Sequence, residues 1–244
     1  MFLKEVVKRL IALTPFRVVR GAPNRYQAIS YCLQYLKRLG FEPAQIIDGG
    51  AHLGSFALEV SAIFPAAIVH LIDPQPACRV PLEALAAERG FLYHPYALSS
   101  APGIVSMICT DLPDTGALLG HSPAQHTQRA VDVEATTLDD LFSATFKPSD
   151  RPLLKLDLQG HEMQALEGAS RMLKSVEVVL VEVPFYGEVG QPTVPDIIGF
   201  FRRSGFDLFD VASLSGRPRD DRLREGDFVF VRQGSPISAD AAWS

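Results

Sequence analysis

The chain has 244 residues, 47% of them apolar and 21% charged, which suits one soluble α/β domain with a short extension. Its net charge of −5 removes the electrostatic case for nucleic acid, which demands a basic face. The three cysteines, Cys32, Cys78 and Cys109, are far apart, exclude a C-x-x-C metal or disulfide framework, and read as reduced thiols of a cytoplasmic protein.

The first sixteen residues are apolar but interrupted by Lys4, Glu5, Lys8 and Arg9, so no signal-peptide core and no membrane span is expected. Phe2, Leu3, Val6, Val7, Leu10 and Ile11 fall on one helical face. That face reads as docking on the domain or on a partner subunit, which leaves a homodimer open; shallow membrane contact is the alternative. Asn24 and Gln27 resemble a capping box ahead of a helical stripe, Ile29, Cys32, Leu33, Leu36 and Leu39, that ends at Gly40. Residues 1–40 therefore form a helical extension, 41–234 the main domain and 235–244 a tail.

Strand one is predicted at 45–48, a helix runs to about 63, and strand two spans 68–72. Pro76 and Pro81 open a helix that Gly90 closes. Residues 91–98 read as strand three, 99–103 as a turn and 104–109 as the return strand of a hairpin. Residues 111–130 form the one long loop, a lid or part of an acceptor pocket if not an idle surface insert. Its His121, His126, Asp111 and Asp114 match no metal-ligand spacing, and no metal is expected. A short strand at 131–136 and a brief helix at 138–142 follow. Strand four is 153–158, then a helix turns Met163, Leu166 and Met172 inward. Residues 176–183 are nearly all apolar, hence a central buried strand. A helix at 195–203 and strands at 206–211 and 227–231 complete the pattern. Alternating strands and helices imply a mostly parallel sheet with helices on both faces, and the last two strands an antiparallel hairpin at one edge.

The chemistry concentrates at 46–54, Ile-Ile-Asp-Gly-Gly-Ala-His-Leu-Gly. An apolar strand delivers an acid and glycines to the start of a helix, the turn that holds a nucleotide-like cofactor at a sheet's carboxyl edge. Twenty-five residues beyond Asp48, the run 68–72 ends in Asp73-Pro74, where an acid can accept from both ribose hydroxyls. The glycine spacing misses G-x-G-x-x-G, and Ser55 stands where a P-loop needs lysine. An acid opening the loop repels phosphate but suits S-adenosylmethionine, whose amino group and sulfonium are cationic. A tight turn without a ligand is the plain alternative.

With these elements placed, the chain resembles the FkbM family of S-adenosylmethionine-dependent methyltransferases over roughly residues 45–232. The resemblance rests on Asp-Gly-Gly-Ala-His-Leu-Gly (48–54), Ile-Asp-Pro-Gln-Pro (72–76), Ala-Leu-Ser (97–99) and Thr-Thr-Leu-Asp-Asp (136–140). Its most specific block is Leu-Lys-Leu-Asp-Leu-Gln-Gly-His-Glu (154–162), followed by Ala-Leu-Glu-Gly-Ala (165–169), Val-Glu-Val (181–183), Gly-Phe (205–206) and Phe-Val-Phe-Val-Arg (228–232). His52 replaces the usual Asn, Asp73 the usual Glu, and Gln159 a frequent Glu; the segment after Val183 is shorter than usual. The resemblance implies a class I, Rossmann-like fold with a seven-stranded sheet, S-adenosylmethionine as cofactor, and methyl transfer to a hydroxyl of a sugar or secondary metabolite, a small-molecule or glycan acceptor. A non-catalytic scaffold and an N-methyltransferase are the competing readings.

The candidate cofactor-binding residues are Asp48, Gly49, Gly50, Ala51, His52, Gly54, Asp73, Pro74, Ala97, Leu98 and Asp157. Removing a proton from an alcohol calls for a base, and Asp157, His161 and Glu182 are the catalytic candidates near the ends of strands four and five. The helix terminus would lower the His161 pKa and keep the imidazole neutral, as a base requires; the alternatives are a helix cap for Asp157 and an exposed first-turn residue for His161. Glu182 needs a partner or a ligand. Glu162 reads as a helix-dipole partner, Lys155 as the partner of a carboxylate, and Asp139 and Asp140 as caps.

Overall fold

The computed structural model describes residues 29–110, 128–186, 192–217 and 219–239. The amphipathic segment at the N-terminus, most of the long loop with His121, His126, Asp111 and Asp114, and the end of the tail lie outside the described residues.

Helix α1 (Ile29–Arg38) leads to β1 (Gln45–Gly49), α2 (Ser55–Ile63), β2 (Ile68–Ile72), α3 (Pro76–Arg89) and β3 (Leu92–His94). After β4 (Ala97–Leu98), β5 (Gly103–Thr110) and β6 (Gln128–Thr136) come α4 (Leu138–Phe142), β7 (Leu153–Leu156) and α5 (Glu162–Glu167). Then follow β8 (Val178–Pro184), α6 (Val194–Arg203), β9 (Phe206–Gly216) and β10 (Leu223–Arg232). The main sheet has seven strands in the order β3-β2-β1-β7-β8-β10-β9. Its first five strands pair in parallel; β10 is antiparallel to both β8 and β9. This is the class I architecture with its terminal hairpin at one edge.

Each central strand is apolar on both sides because both faces of the sheet are covered. Ile46, Leu153, Leu180 and Val229 pack with Leu33, Leu36, Ala57, Val60 and Leu82 of α1, α2 and α3. Their neighbours Ile47, Leu154, Val181 and Phe228 pack on the other side with Phe142, Leu166, Ile197 and Phe201 of α4, α5 and α6. Helix α1 thus belongs to the core, and so does the 3-10 turn Pro236–Ser238, whose Ile237 is buried in the same cluster.

Four expectations need correction. The run 91–98 is not one strand: it breaks into β3 in the main sheet and β4 in a second sheet. Pro95 lies at the break, and a residue without an N–H cannot continue the ladder. The hairpin partner of β5 is accordingly not this run but β6, antiparallel from Gly103↔Ala135 to Thr110↔Gln128, with β4 parallel on the other side of β6. That pairing carries β6 back to Gln128, three residues into the expected loop. Finally, β9 and β10 run well beyond their apolar cores, because ladder bonds continue through the polar residues of the hairpin.

Candidate active site

The chain leaves β1 outward to β2 and β3 and later returns to β7 on the other side of β1. In an open parallel sheet, such a reversal opens a crevice at the carboxyl ends of the two strands. Here the turn after β1 and the turn after β7 meet in that crevice. Gly50 has a φ of 77°, and a Cβ on it would sit 1.9 Å from the Asp157 carbonyl oxygen, so only glycine lets the two turns approach. The Gly50 and Ala51 N–H groups donate to the Ile72 carbonyl at 2.9 and 3.1 Å, tying the β1 turn to the end of β2. His52 follows at a φ of 48°, a conformation that Asn, Asp and His tolerate best among residues with a Cβ.

Asp73, at the end of β2, is 2% exposed. Its Oδ2 accepts the His52 N–H at 2.8 Å and its Oδ1 the Gln75 N–H at 2.9 Å. Burial raises its pKa, and these two N–H groups work against the rise. Each oxygen keeps a second lone pair, and the residue borders the cleft, so the carboxylate can still accept from a diol.

On the other side, Asp157 follows β7, its N–H bonded to the Gly49 carbonyl at 3.1 Å. It caps no helix, since α5 begins only at Glu162. Behind it lies Lys155, whose Nζ is 3.0 Å from Asp48 Oδ1, 3.7 Å from Asp157 Oδ2 and 2.9 Å from the Gly50 carbonyl oxygen. Burial opposes this ammonium, but Asp48 and Asp157 outweigh it and hold the Lys155 pKa above its usual value. Lys155 therefore pairs with a carboxylate, and that carboxylate is Asp48.

Further carboxyl groups gather around Asp157. Glu182 of β8 accepts from Gln159 Nε2 at 3.2 Å, and the same Nε2 donates to Asp157 Oδ1 at 2.9 Å. Burial first, then Asp157, Glu225, Glu162 and Asp227, push Glu182 up to about 9, so it is a neutral acid at pH 7. Glu162 is no mere dipole partner: its carboxylate accepts the N–H groups of Leu158 at 2.7 Å and Gly160 at 3.1 Å. Burial raises it to about 7. His161 precedes α5, with Nε2 3.3 Å from Ser99 Oγ, and burial lowers its pKa. Asp139 does not cap α4, a role that falls to Thr137; it accepts the N–H groups of Arg171 and Met172 instead.

Of the residues singled out in the sequence, Gly50, His52, Asp73, Pro74, Ala97, Leu98, Asp157 and His161 line the cleft. Asp48, Gly49, Ala51, Gly54 and Glu182 do not border it. Asp48 is fully buried beneath Lys155, and Gly54 opens α2. Sequence reasoning missed Gln75, Tyr96, Met107, Leu158 and Gln159 as lining residues. The left-handed conformation of Gln159 has no sequence signal, and Tyr96 and Met107 reach the cleft only because β4 and β5 form the second sheet. Among the described residues, no group of three or more His, Cys, Asp or Glu side chains is placed to hold a metal ion, and no helix is long and apolar enough to cross a membrane.

A cationic nucleoside fits this cleft on two counts. Asp73 offers acceptor capacity at the end of β2, and the Asp157 carboxylate stands part-exposed at the cleft, where it can face a cation.

Residues 48–208 match the family model described as the methyltransferase FkbM domain. No curated protein matches. Among solved structures, the methyltransferase FkbM of Methylobacillus flagellatus KT is 14% identical with a TM-score of 0.48, over 76% of this chain and 43% of that one. The chain thus spans less than half the length of that protein. The 1,6-didemethyltoxoflavin-N1-methyltransferase of Burkholderia thailandensis is 13% identical, with a TM-score of 0.45 over 95% and 85% of the two chains. An O-methyltransferase family protein of Burkholderia thailandensis is 12% identical, with a TM-score of 0.46 over 84% and 55%.

Proposed function

The chain belongs to the FkbM family of S-adenosylmethionine-dependent methyltransferases, and from that premise we propose that it methylates a hydroxyl group of a sugar or secondary metabolite. Bound S-adenosylmethionine supplies an electrophilic methyl group on its sulfonium. Gly50, His52, Asp73, Pro74, Ala97 and Leu98 hold the cofactor, with Asp73 on the ribose. Asp48 and Gly49 act from behind, through the Lys155 ion pair and the Asp157 N–H. Ala51 and Gly54 set the path of the turn. The enzymatic unit comprises 41–234 together with α1 and the turn at Pro236–Ser238, which share its core, and it works in the cytoplasm.

The single observation carrying the hydroxyl reading is that a carboxylate and an imidazole, Asp157 and His161, line one cleft together. An alcohol must lose its proton as it attacks, whereas a neutral amine attacks with its lone pair and sheds a proton afterwards. Burial favours the neutral imidazole of His161, the form that can take a proton. Glu182, protonated at neutral pH, is not that base; it supports Asp157 through Gln159.

One observation favours amine methylation as a second reading: the Asp157 carboxylate is part-exposed at the cleft, where it can pair with an ammonium. The test is incubation with methyl-labelled S-adenosylmethionine and matched panels of sugars, alcohols and amines, followed by mass spectrometry. A methyl ether is the expected product. Label found only on nitrogen would replace the hydroxyl reading with the second one.

A further inference from the structure

Gln159 is the best-defined polar residue of the cleft without a task in the reaction. It sits at a φ of 55°, a strained conformation for a side chain of this kind. Its single amide nitrogen spans two carboxyl groups from different strands, 2.9 Å from Asp157 Oδ1 and 3.2 Å from Glu182 Oε2. On the far side of Asp157, Oδ2 faces Lys155 Nζ at 3.7 Å. Asp157 is therefore gripped between an amide donor and an ammonium, each on its own oxygen, while 37% of its side chain stays exposed at the cleft.

We infer that Gln159 is a positioning residue: its amide fixes the Asp157 carboxylate toward the acceptor and insulates it from Glu182. This rests on the proposed function, in which the Asp157-to-His161 turn receives the acceptor's proton. An amide is the one uncharged side chain of this length that donates to two carboxyl groups at once. A glutamate at 159 would bring a third carboxyl group into contact with the other two. The groups facing Asp157 are Asp48 from β1, Lys155 from β7, Glu162 from α5, Glu182 from β8 and Asp227 from β10, with Glu225 next to Glu182 and His161 in the same turn. Lys155 is the one cation of this set, apart from any charge on His161, and it already bonds Asp48 and the Gly50 carbonyl. An added negative charge would therefore be met by proton uptake.

The test is steady-state kinetics across pH on the full chain for Q159L, Q159E, Q159E/E182Q and D157N, using whichever acceptor the product analysis identifies. Q159L, which keeps the volume but cannot donate, should lower kcat roughly 10- to 100-fold, with KM for S-adenosylmethionine within about threefold and the thermal midpoint near that of the wild type. Q159E should lower kcat at neutral pH and also move the acid limb of the pH–rate profile upward. Q159E/E182Q, with the carboxyl count restored, should bring that limb back. Wild-type kcat and an unmoved acid limb in both single variants, beside an impaired D157N, would overturn the positioning role and leave the proposed base intact. Equal losses in kcat and cofactor KM would make Gln159 a cofactor contact instead. Full activity in D157N would remove both the base reading and this inference.

Discussion

A carboxylate at the end of a strand can be almost fully enclosed, and the enclosure decides what it does. Asp73 is such a case: both oxygens already hold backbone N–H groups, so its charge organises the turn as well as the cleft. Asp73→Ala should weaken S-adenosylmethionine binding by roughly 10- to 100-fold in calorimetry, the loss expected for charge-assisted bonds of about 1.5–3 kcal/mol. An unchanged affinity with an intact circular dichroism spectrum would place the ribose elsewhere. His161 gives a prediction about turnover. Its folded pKa lies below the ordinary imidazole range because of burial, so the neutral form is lost only as pH falls through that lowered value. The acid limb of kcat should accordingly lie below the usual histidine titration, and His161→Ala should remove it while lowering turnover and leaving cofactor affinity within a few-fold. An unaltered limb in His161→Ala would take the base role away from His161.

At the scale of elements, the site is a meeting of two turns, and their distance is the quantity under control. The β1 turn leans on the Asp157 carbonyl through the missing side chain of Gly50, and Glu162 holds the β7 turn by the N–H groups of Leu158 and Gly160. Gly50→Ala adds an atom that backbone cannot avoid, in a conformation that disfavours it. We expect a destabilisation of about 2–4 kcal/mol in urea unfolding and a cofactor affinity reduced well beyond that of an exposed-glycine control such as Gly90→Ala. Gly90 also has a positive φ, of 73°, but nothing lies within 4 Å of a Cβ there, so the comparison separates backbone strain from the collision at the site. Equal affinities in the two variants would mean that the turns need not touch. A second contact of the same kind lies at Gly168, where a Cβ would meet the Ser99 carbonyl oxygen at 2.2 Å and so push away the hydroxyl that faces His161.

For the whole molecule, cofactor binding and stability are linked, because the cleft is built from strands β1, β2 and β7 at the centre of the sheet and exists only when they are assembled. A ligand at about 100 times its Kd stabilises the folded state by about 2.7 kcal/mol, which for a chain of this size corresponds to a rise in Tm of roughly 5–10 °C. S-adenosylmethionine and its demethylated product should both produce such a rise in a thermal melt, while NAD and ATP should not. A matching rise with NAD would contradict the argument from glycine spacing and from the missing P-loop lysine.

The order of strands and helices, the acid-glycine turn at 48–54 and the acid at 73 follow from the sequence alone, since periodicity, turn residues and an apolar run ending in an acid are local signals. So does the pairing need of Lys155, because an ammonium inside an apolar strand requires a counter-charge wherever the strand lies. Which counter-charge it meets is a matter of register: Asp48 stands opposite Lys155 only because β7 returns beside β1. The same return makes Asp157 a neighbour of the Gly50 turn. The split of 91–98 between two sheets and the growth of β6 to Gln128 were decided by long-range pairing that no window of residues contains. The division of labour among the carboxyl groups was decided there as well. Asp157 and Glu182 are the same kind of group in the sequence. Only their packing, one open to the cleft and one enclosed among Glu225, Glu162 and Asp227, leaves the first able to face an acceptor and makes the second a neutral acid, because a proton's affinity depends on the burial and charge around it.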